Sequence, residues 1–166
     1  MRSKKWILFV GFIAVGVRTS YGQTSTMADI TASVMPAIKL CKIADLQFGT
    51  FVSGTPGTIT IDPTGSRTAS GPILISSANS PVGAATFTVD GSSHFDFTIM
   101  LPSSVTLNGP SGSKMTLTKF VSSPSGHGTI PSKGSGTISV GATLTVGGNQ
   151  TPGAYYGTFS VTVHYE

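Results

Sequence analysis

The chain has 166 residues, with ten Lys and Arg against six Asp and Glu for a formal net charge of +4 at pH 7. Arg2, Lys4, Lys5 and Arg18 supply four of those positive charges within the first 22 residues, so the other 144 residues carry six basic and six acidic side chains and are formally neutral. With 10% charged residues, 21 Gly and 10 Pro, the composition argues against a nucleic-acid-binding surface and against a charged coiled coil.

Residues 1–22 have the layout of a secretory signal peptide. Met1 to Lys5 is short and basic, and Trp6 to Val17 is a run of twelve uncharged, mostly apolar residues. Ser20 and Gly22 are small residues at the third and first positions before a cut that leaves Gln23 as the new N-terminus. A spanning helix needs about 20 apolar residues, and this run stops at Arg18. The mature protein, 23–166, is therefore expected to be exported to the periplasm, the cell surface or the medium, with no transmembrane span.

Alternation at period two recurs along the mature chain, and no segment holds helical spacing over three turns. Ala28, Ile30, Ala32, Val34, Pro36, Ile38 and Leu40 alternate with mostly polar residues. Pro36 lacks a backbone donor, so this run divides, and its first piece over 28–35 is expected to be a strand. Cys41, the only cysteine, follows in a strand-like run that predicts a buried, inert thiol. Ile59 and Ile61 form the next apolar face, then Ala85, Phe87 and Val89, then Phe95, Phe97, Ile99 and Leu101. Val105 and Leu107, Met115 and Leu117, and Ala142, Leu144 and Val146 continue the pattern. The strongest run comes last, with Phe159, Val161, Val163 and Tyr165 between Ser160, Thr162 and His164.

Turn signals separate these runs. They include Asp62-Pro63-Thr64-Gly65, Asn108-Gly109-Pro110, Ser123-Pro124-Ser125-Gly126 and the stretch from Gly147 to Gly153. Gly supplies positive φ and Pro fixes φ near −65°. About eight or nine short strands with this punctuation predict an all-β fold, a single immunoglobulin-like antiparallel β-sandwich over 23–166.

Catalytic chemistry finds little support. His94, His127 and His164 come without a nucleophile elbow, a zinc spacing or a phosphate loop. Asp90, His94 and Asp96 cluster across one turn, and an enzyme using them is the weakest of three readings. No cofactor is expected, and the protein reads as non-enzymatic.

The two ends carry a mechanism. Residues 28–35, presenting Ile30, Ala32 and Val34, serve either as the first strand of their own sandwich or as a donor strand inserted into a neighbouring subunit. Phe159, Val161, Val163 and Tyr165 then form the acceptor or chaperone-facing strand. A stand-alone module binding carbohydrate or another small ligand is the alternative, with Tyr156, on the opposite face from Tyr155, as its aromatic candidate.

Four segments carry a family resemblance. Asp45-Leu46-Gln47-Phe48-Gly49-Thr50, Gly65-Ser66-Arg67-Thr68-Ala69-Ser70-Gly71, the run from Leu101 to Leu107, and the ending from Val140 through Pro152-Gly153-Ala154-Tyr155-Tyr156-Gly157 to Val163 resemble the bacterial domain-of-unknown-function 4402 family. That family name implies no activity. More distantly, the leader, the sandwich and the Pro-Gly-x-Tyr turn into an alternating last strand look like pilin subunits of the chaperone-usher type and spore-coat-U-like proteins. That likeness implies export, a periplasmic chaperone, and polymerisation with copies of itself or related subunits into a surface fibre. Many such pilins hold an intradomain disulfide, for which Cys41 has no partner.

Overall fold

Alternation along Ser135–Val146 puts every second side chain of one long strand into the interior, and the architecture is built around that strand. The computed structural model describes residues 23–52, 54–76 and 80–166; the expected signal peptide lies outside them. Fourteen strands occur among the described residues. The first seven are β1 Lys39–Ala44, β2 Gln47–Phe48, β3 Phe51–Val52, β4 Gly57–Ile61, β5 Arg67–Ser70, β6 Leu74–Ile75 and β7 Val82–Gly83. The others are β8 Ala85–Asp90, β9 Asp96–Met100, β10 Ser104–Asn108, β11 Lys114–Ser123, β12 His127–Thr129, β13 Ser135–Val146 and β14 Thr162–Tyr165. One 3-10 turn at Pro110–Gly112 interrupts them.

The fold is all-β, an antiparallel β-sandwich. The large sheet runs β1-β8-β13-β11-β10, with β4 also on β13 and β5 on β4. A second sheet runs β12-β9-β14, and two-residue ladders join β2 to β7 and β3 to β6. These short ladders supply four of the strands beyond the eight or nine expected, and the three-residue β12 is another short piece.

β13 serves two neighbours on one edge. Its residues Ser135 to Val140 pair with β8 and Ala142 to Val146 pair with β4, while β11 runs along the opposite edge. The change of partner falls at Gly141. A Cβ there would collide with the Ile61 carbonyl and lie 2.8 Å from the Asp62 carbonyl carbon, so only glycine lets the end of β4 pass so close.

The buried side chains of β13 divide between two clusters. Ala142, Leu144 and Val146 pack with Ile59, Met115 and Leu117, whereas Ile138 and Val140 pack with Val89, Phe97, Ile99 and Ile130. Leu46 and Phe120 touch both clusters and make the core continuous. Each fully buried aliphatic side chain contributes about 1.5–3 kcal/mol. The outward positions of the large sheet carry hydroxyls in cross-strand register. Thr68, Thr60, Thr143, Thr118 and Ser104 form one row, and Ser70, Thr58, Thr145, Thr116 and Thr106 the next.

Two expectations need correction. No strand forms over residues 23–38, and the chain first pairs at Lys39, opposite Asp90 of β8. The alternation of 28–35 is present in sequence, yet without a neighbouring strand to complete its hydrogen bonds the pattern alone does not make a ladder. Cys41 is exposed rather than buried. It falls on β1, which pairs only with β8, and the inward face of that strand belongs to Leu40.

The turn expected at Asp62-Pro63-Thr64-Gly65 is formed and joins β4 to β5. Gly65 N–H donates to the Asp62 carbonyl at 2.9 Å, and Asp62 N–H donates to the Ser66 carbonyl at 3.1 Å. The Asp62 carboxylate accepts from the Thr64 hydroxyl at 2.6 Å, the Thr64 N–H at 2.9 Å and the Ser66 N–H at 3.0 Å. These bonds, the Thr64 hydroxyl first among them, hold its pKa below the ordinary carboxylate value.

Two tests follow from this architecture. Gly141→Ala is expected to lower the unfolding free energy by about 1–3 kcal/mol, the usual cost of overpacking. Gly54→Ala, where an added Cβ meets nothing within 4 Å, should leave it unchanged, and urea denaturation of the pair reads the contrast. For Asp62, a folded-state pKa below the unfolded one means that the turn's contribution is complete above the ordinary carboxylate value and is lost as pH falls through the depressed one. Carboxyl-carbon NMR should place the Asp62 midpoint below that of an aspartate in an unstructured peptide, and Thr64→Ala should move it back up.

Candidate functional site

The first cluster is covered incompletely. Over its Leu107, Met115, Leu117 and Leu144 side lies an open cleft of about 1100 Å³. Its floor is the inner face of the large sheet. One wall is the segment from Asp45 to Val52, and the other is the segment from Gln150 to Phe159.

The first wall is held by little regular structure. β2 pairs with β7 through Gln47–Gly83 and Phe48–Val82, and β3 pairs with β6 through Phe51–Ile75 and Val52–Leu74. Between them Gly49 turns the chain at φ +70°. The Arg67 guanidinium donates from Nη1 to the Phe48 carbonyl at 2.8 Å and from Nη2 to the Ser76 carbonyl at 2.8 Å, with Thr50 O at 3.4 Å from Nη1.

Tyr155 organises the second wall. Its hydroxyl accepts from Gln150 Nε2 at 2.8 Å and lies 2.7 Å from Thr151 O and 2.8 Å from Ser113 Oγ. Its ring covers Gly109, where any Cβ would overlap it. Tyr156 and Asn108 exchange backbone hydrogen bonds at 2.8 and 3.0 Å, after which no ladder forms until Thr162. Gly157 approaches β10 closely, since a Cβ there would lie 3.0 Å from Thr106 O.

The C-terminal run keeps its inward face even where it has no ladder. Phe159, Val161, Val163 and Tyr165 are all half-buried and pack against the second cluster, while Ser160, Thr162 and His164 are exposed. The Phe159 ring lies 5.3 Å from Phe120 and 6.4 Å from Phe87, the latter edge-on. Tyr165 meets Phe95 at 5.9 Å, its hydroxyl accepts from Ser92 N–H at 2.7 Å, and it donates to the Pro36 carbonyl at 3.3 Å. Thr162 to Tyr165 pair with β9 on one edge, and among the described residues no strand pairs with the other.

The N-terminal residues singled out by sequence lie on two units described separately. In residues 23–33, Ile30 is 95% exposed and Ala32 is exposed as well. Val34 opens the unit 34–166 and is 94% exposed. Tyr156 is 75% exposed on the cleft rim, whereas Tyr155 is half-buried, so the two tyrosines face opposite ways as their spacing predicts. The Asp90, His94 and Asp96 grouping is not drawn into a site. Asp96 accepts from the Thr129 hydroxyl at 2.6 Å, and among the described residues no three His, Cys, Asp or Glu side chains are placed to hold a metal. No helix among the described residues is long and apolar enough to cross a membrane.

The family model for a domain of unknown function, DUF4402, matches residues 38–165. The chain belongs to the DUF4402 family. No curated protein and no solved structure matches it. The DUF4402 match takes in both walls of the cleft and the whole C-terminal run, and it begins at Ile38, after the 28–35 segment.

Sequence reasoning missed the first wall as a functional element. Its signal was present in Asp45–Thr50 and Gly65–Gly71, two of the segments that carry the family resemblance. Neither segment shows by itself that Arg67 closes on Phe48 and Ser76. For the second wall, Tyr155→Phe keeps the ring on Gly109 and removes the hydroxyl hub. We expect a loss of about 0.5–1.5 kcal/mol, typical of one net hydrogen bond, read by thermal unfolding and by a shift of the Gln150 side-chain amide signals in NMR.

Proposed function

We propose that this DUF4402 protein is an exported bacterial structural or adhesive subunit of the cell surface, pilin-like, assembling by donor-strand exchange. The observation that carries the reading is the pairing of an open apolar cleft beside an unladdered C-terminal segment with an exposed alternating segment at the other end of the mature chain. The cleft takes an added strand in the manner of β-strand addition: backbone bonds give affinity and alternate side chains give register. Ile30, Ala32 and Val34 of a second copy are the donor side chains. Phe159, Val161, Val163 and Tyr165 form the acceptor strand, which a periplasmic chaperone holds until the donor arrives.

Several features support this reading. β14 has a free edge, which exported proteins must cover or pair to avoid aggregation. The 28–35 segment carries Ile30 and Val34 almost fully exposed, an arrangement that favours burial in a partner. The leader-like layout of residues 1–22 supports export.

A second reading follows from Tyr156. An exposed tyrosine on the rim of a cleft of about 1100 Å³ suits a stand-alone module binding the ring face of a carbohydrate.

Assembly is tested on mature protein exported from a bacterium, by size exclusion with light scattering and by gels of boiled and unboiled samples. Donor-strand exchange predicts a ladder that survives detergent and collapses on boiling. Ile30→Asp combined with Val34→Asp should abolish the ladder and leave the melting temperature of the sandwich unchanged, because both side chains are solvent-exposed. A folded wild-type monomer at the mature mass would falsify the fibre mechanism and turn attention to Tyr156, whose replacement by alanine should then reduce retention on glycan arrays.

A further inference from the structure

The first wall of the cleft is a weakly paired segment that nevertheless has to hold Phe48 and Phe51 in place. Two ladders of two residue pairs each do not make an independently stable structure. Besides these ladders, one backbone bond from Ser76 N–H to the Thr50 carbonyl at 3.1 Å reaches the corner between them, and the Arg67 side chain is in position to fix it. Its backbone is anchored in the large sheet, opposite the fully buried Ile61 and just after the Asp62 turn. Its guanidinium spans the gap to the wall, with Nη1 on the Phe48 carbonyl and Nη2 on the Ser76 carbonyl, both at 2.8 Å. These acceptors come from two separate stretches of chain, one on each side of the β3–β6 ladder.

We propose that Arg67 is the positioning residue that sets the width of the cleft, acting through the Phe48-Gly49-Thr50 corner. The inference rests on the reading of the cleft as the docking site for an added strand. The chemistry requires arginine. A planar fork with five N–H donors satisfies carbonyls in two directions at once, whereas a lysine ammonium at the end of a single stem is a point donor. The acceptors are neutral carbonyls, so the clamp does not depend on a carboxylate. Gly49 is the matching half of the device. A Cβ at this positive-φ position would lie 2.5 Å from Arg67 Nη1 and 2.6 Å from Val82 Cγ2, so glycine lets the corner close on the guanidinium.

The test uses the full mature protein with Arg67→Lys, Arg67→Gln and Gly49→Ala, and with Ile130→Val, a cut in the second cluster away from the cleft lining, as a variant that lowers stability without touching this wall. Three quantities are read: amide hydrogen exchange at residues 48–51 against that of β8 and β13, equilibrium binding of Nile red as an apolar probe of the cleft, and the heat-labile polymer ladder. Each of the three wall variants is expected to speed exchange at 48–51 by about tenfold, the scale of one lost charge-assisted hydrogen bond. Exchange in β8 and β13 should stay unchanged. Nile red affinity and ladder yield should shift with the wall and not with melting temperature, so that Ile130→Val lowers the melting temperature and moves neither. Unchanged exchange at 48–51 in Arg67→Gln overturns the assignment, as does an equal effect of Ile130→Val on dye binding. A wild-type protein that forms no ladder removes the donor-strand reading, while the exchange and dye measurements still decide the role of Arg67. A ladder that forms equally well in Arg67→Gln removes Arg67 and leaves that reading standing.

Discussion

One strand carries both hydrophobic clusters. The even-numbered side chains of β13 from Ile138 to Val146 are buried, and its single edge facing away from β11 is shared by β8 and β4. Removing the side chain at residue 141 is what allows the exchange of partners there, since β4 ends against the backbone at that point. The geometry of the rest follows. β8 leads to β1 and faces β9 and β14 across the second cluster, while β4 leads to β5 and leaves the first cluster to be covered by shorter pieces.

That division explains why the cleft lies where it does. The second cluster is roofed by a three-stranded sheet. The first is roofed by two walls held by individual polar anchors, Arg67 on one side and Tyr155 on the other. Anchors of this kind position a segment without filling the space beside it, so the cleft lies between them.

The large sheet presents two cross-strand rows of Ser and Thr, and Lys42–Asp45, at 2.7 Å, is an exposed pair that adds little to stability. Stability therefore rests on burial. Cys41, facing outward on β1, takes no part in the core.

Much of this was legible in the residue pattern. Period-two alternation identified the inner faces of β4, β8, β9, β11 and the second half of β13, because burial on one side of a pleated strand demands it. The turn at Asp62 and the opposite facings of Tyr155 and Tyr156 were readable for the same local reasons. The run from Ala28 to Leu40 was over-read, since alternation reports which face a strand would bury and not whether a partner is present to complete its ladder. The segments of the first wall carried the family resemblance, but nothing in them showed that a cleft forms. It depends on Arg67 reaching Phe48, nineteen positions away, and Ser76, nine positions away, and on Tyr155 reaching Ser113, forty-two positions away. Sequence by itself determined the strand faces and turns, which are set by neighbours along the chain. Tertiary structure alone decided where those faces were left uncovered, because that depends on contacts between segments whose separation no local pattern records.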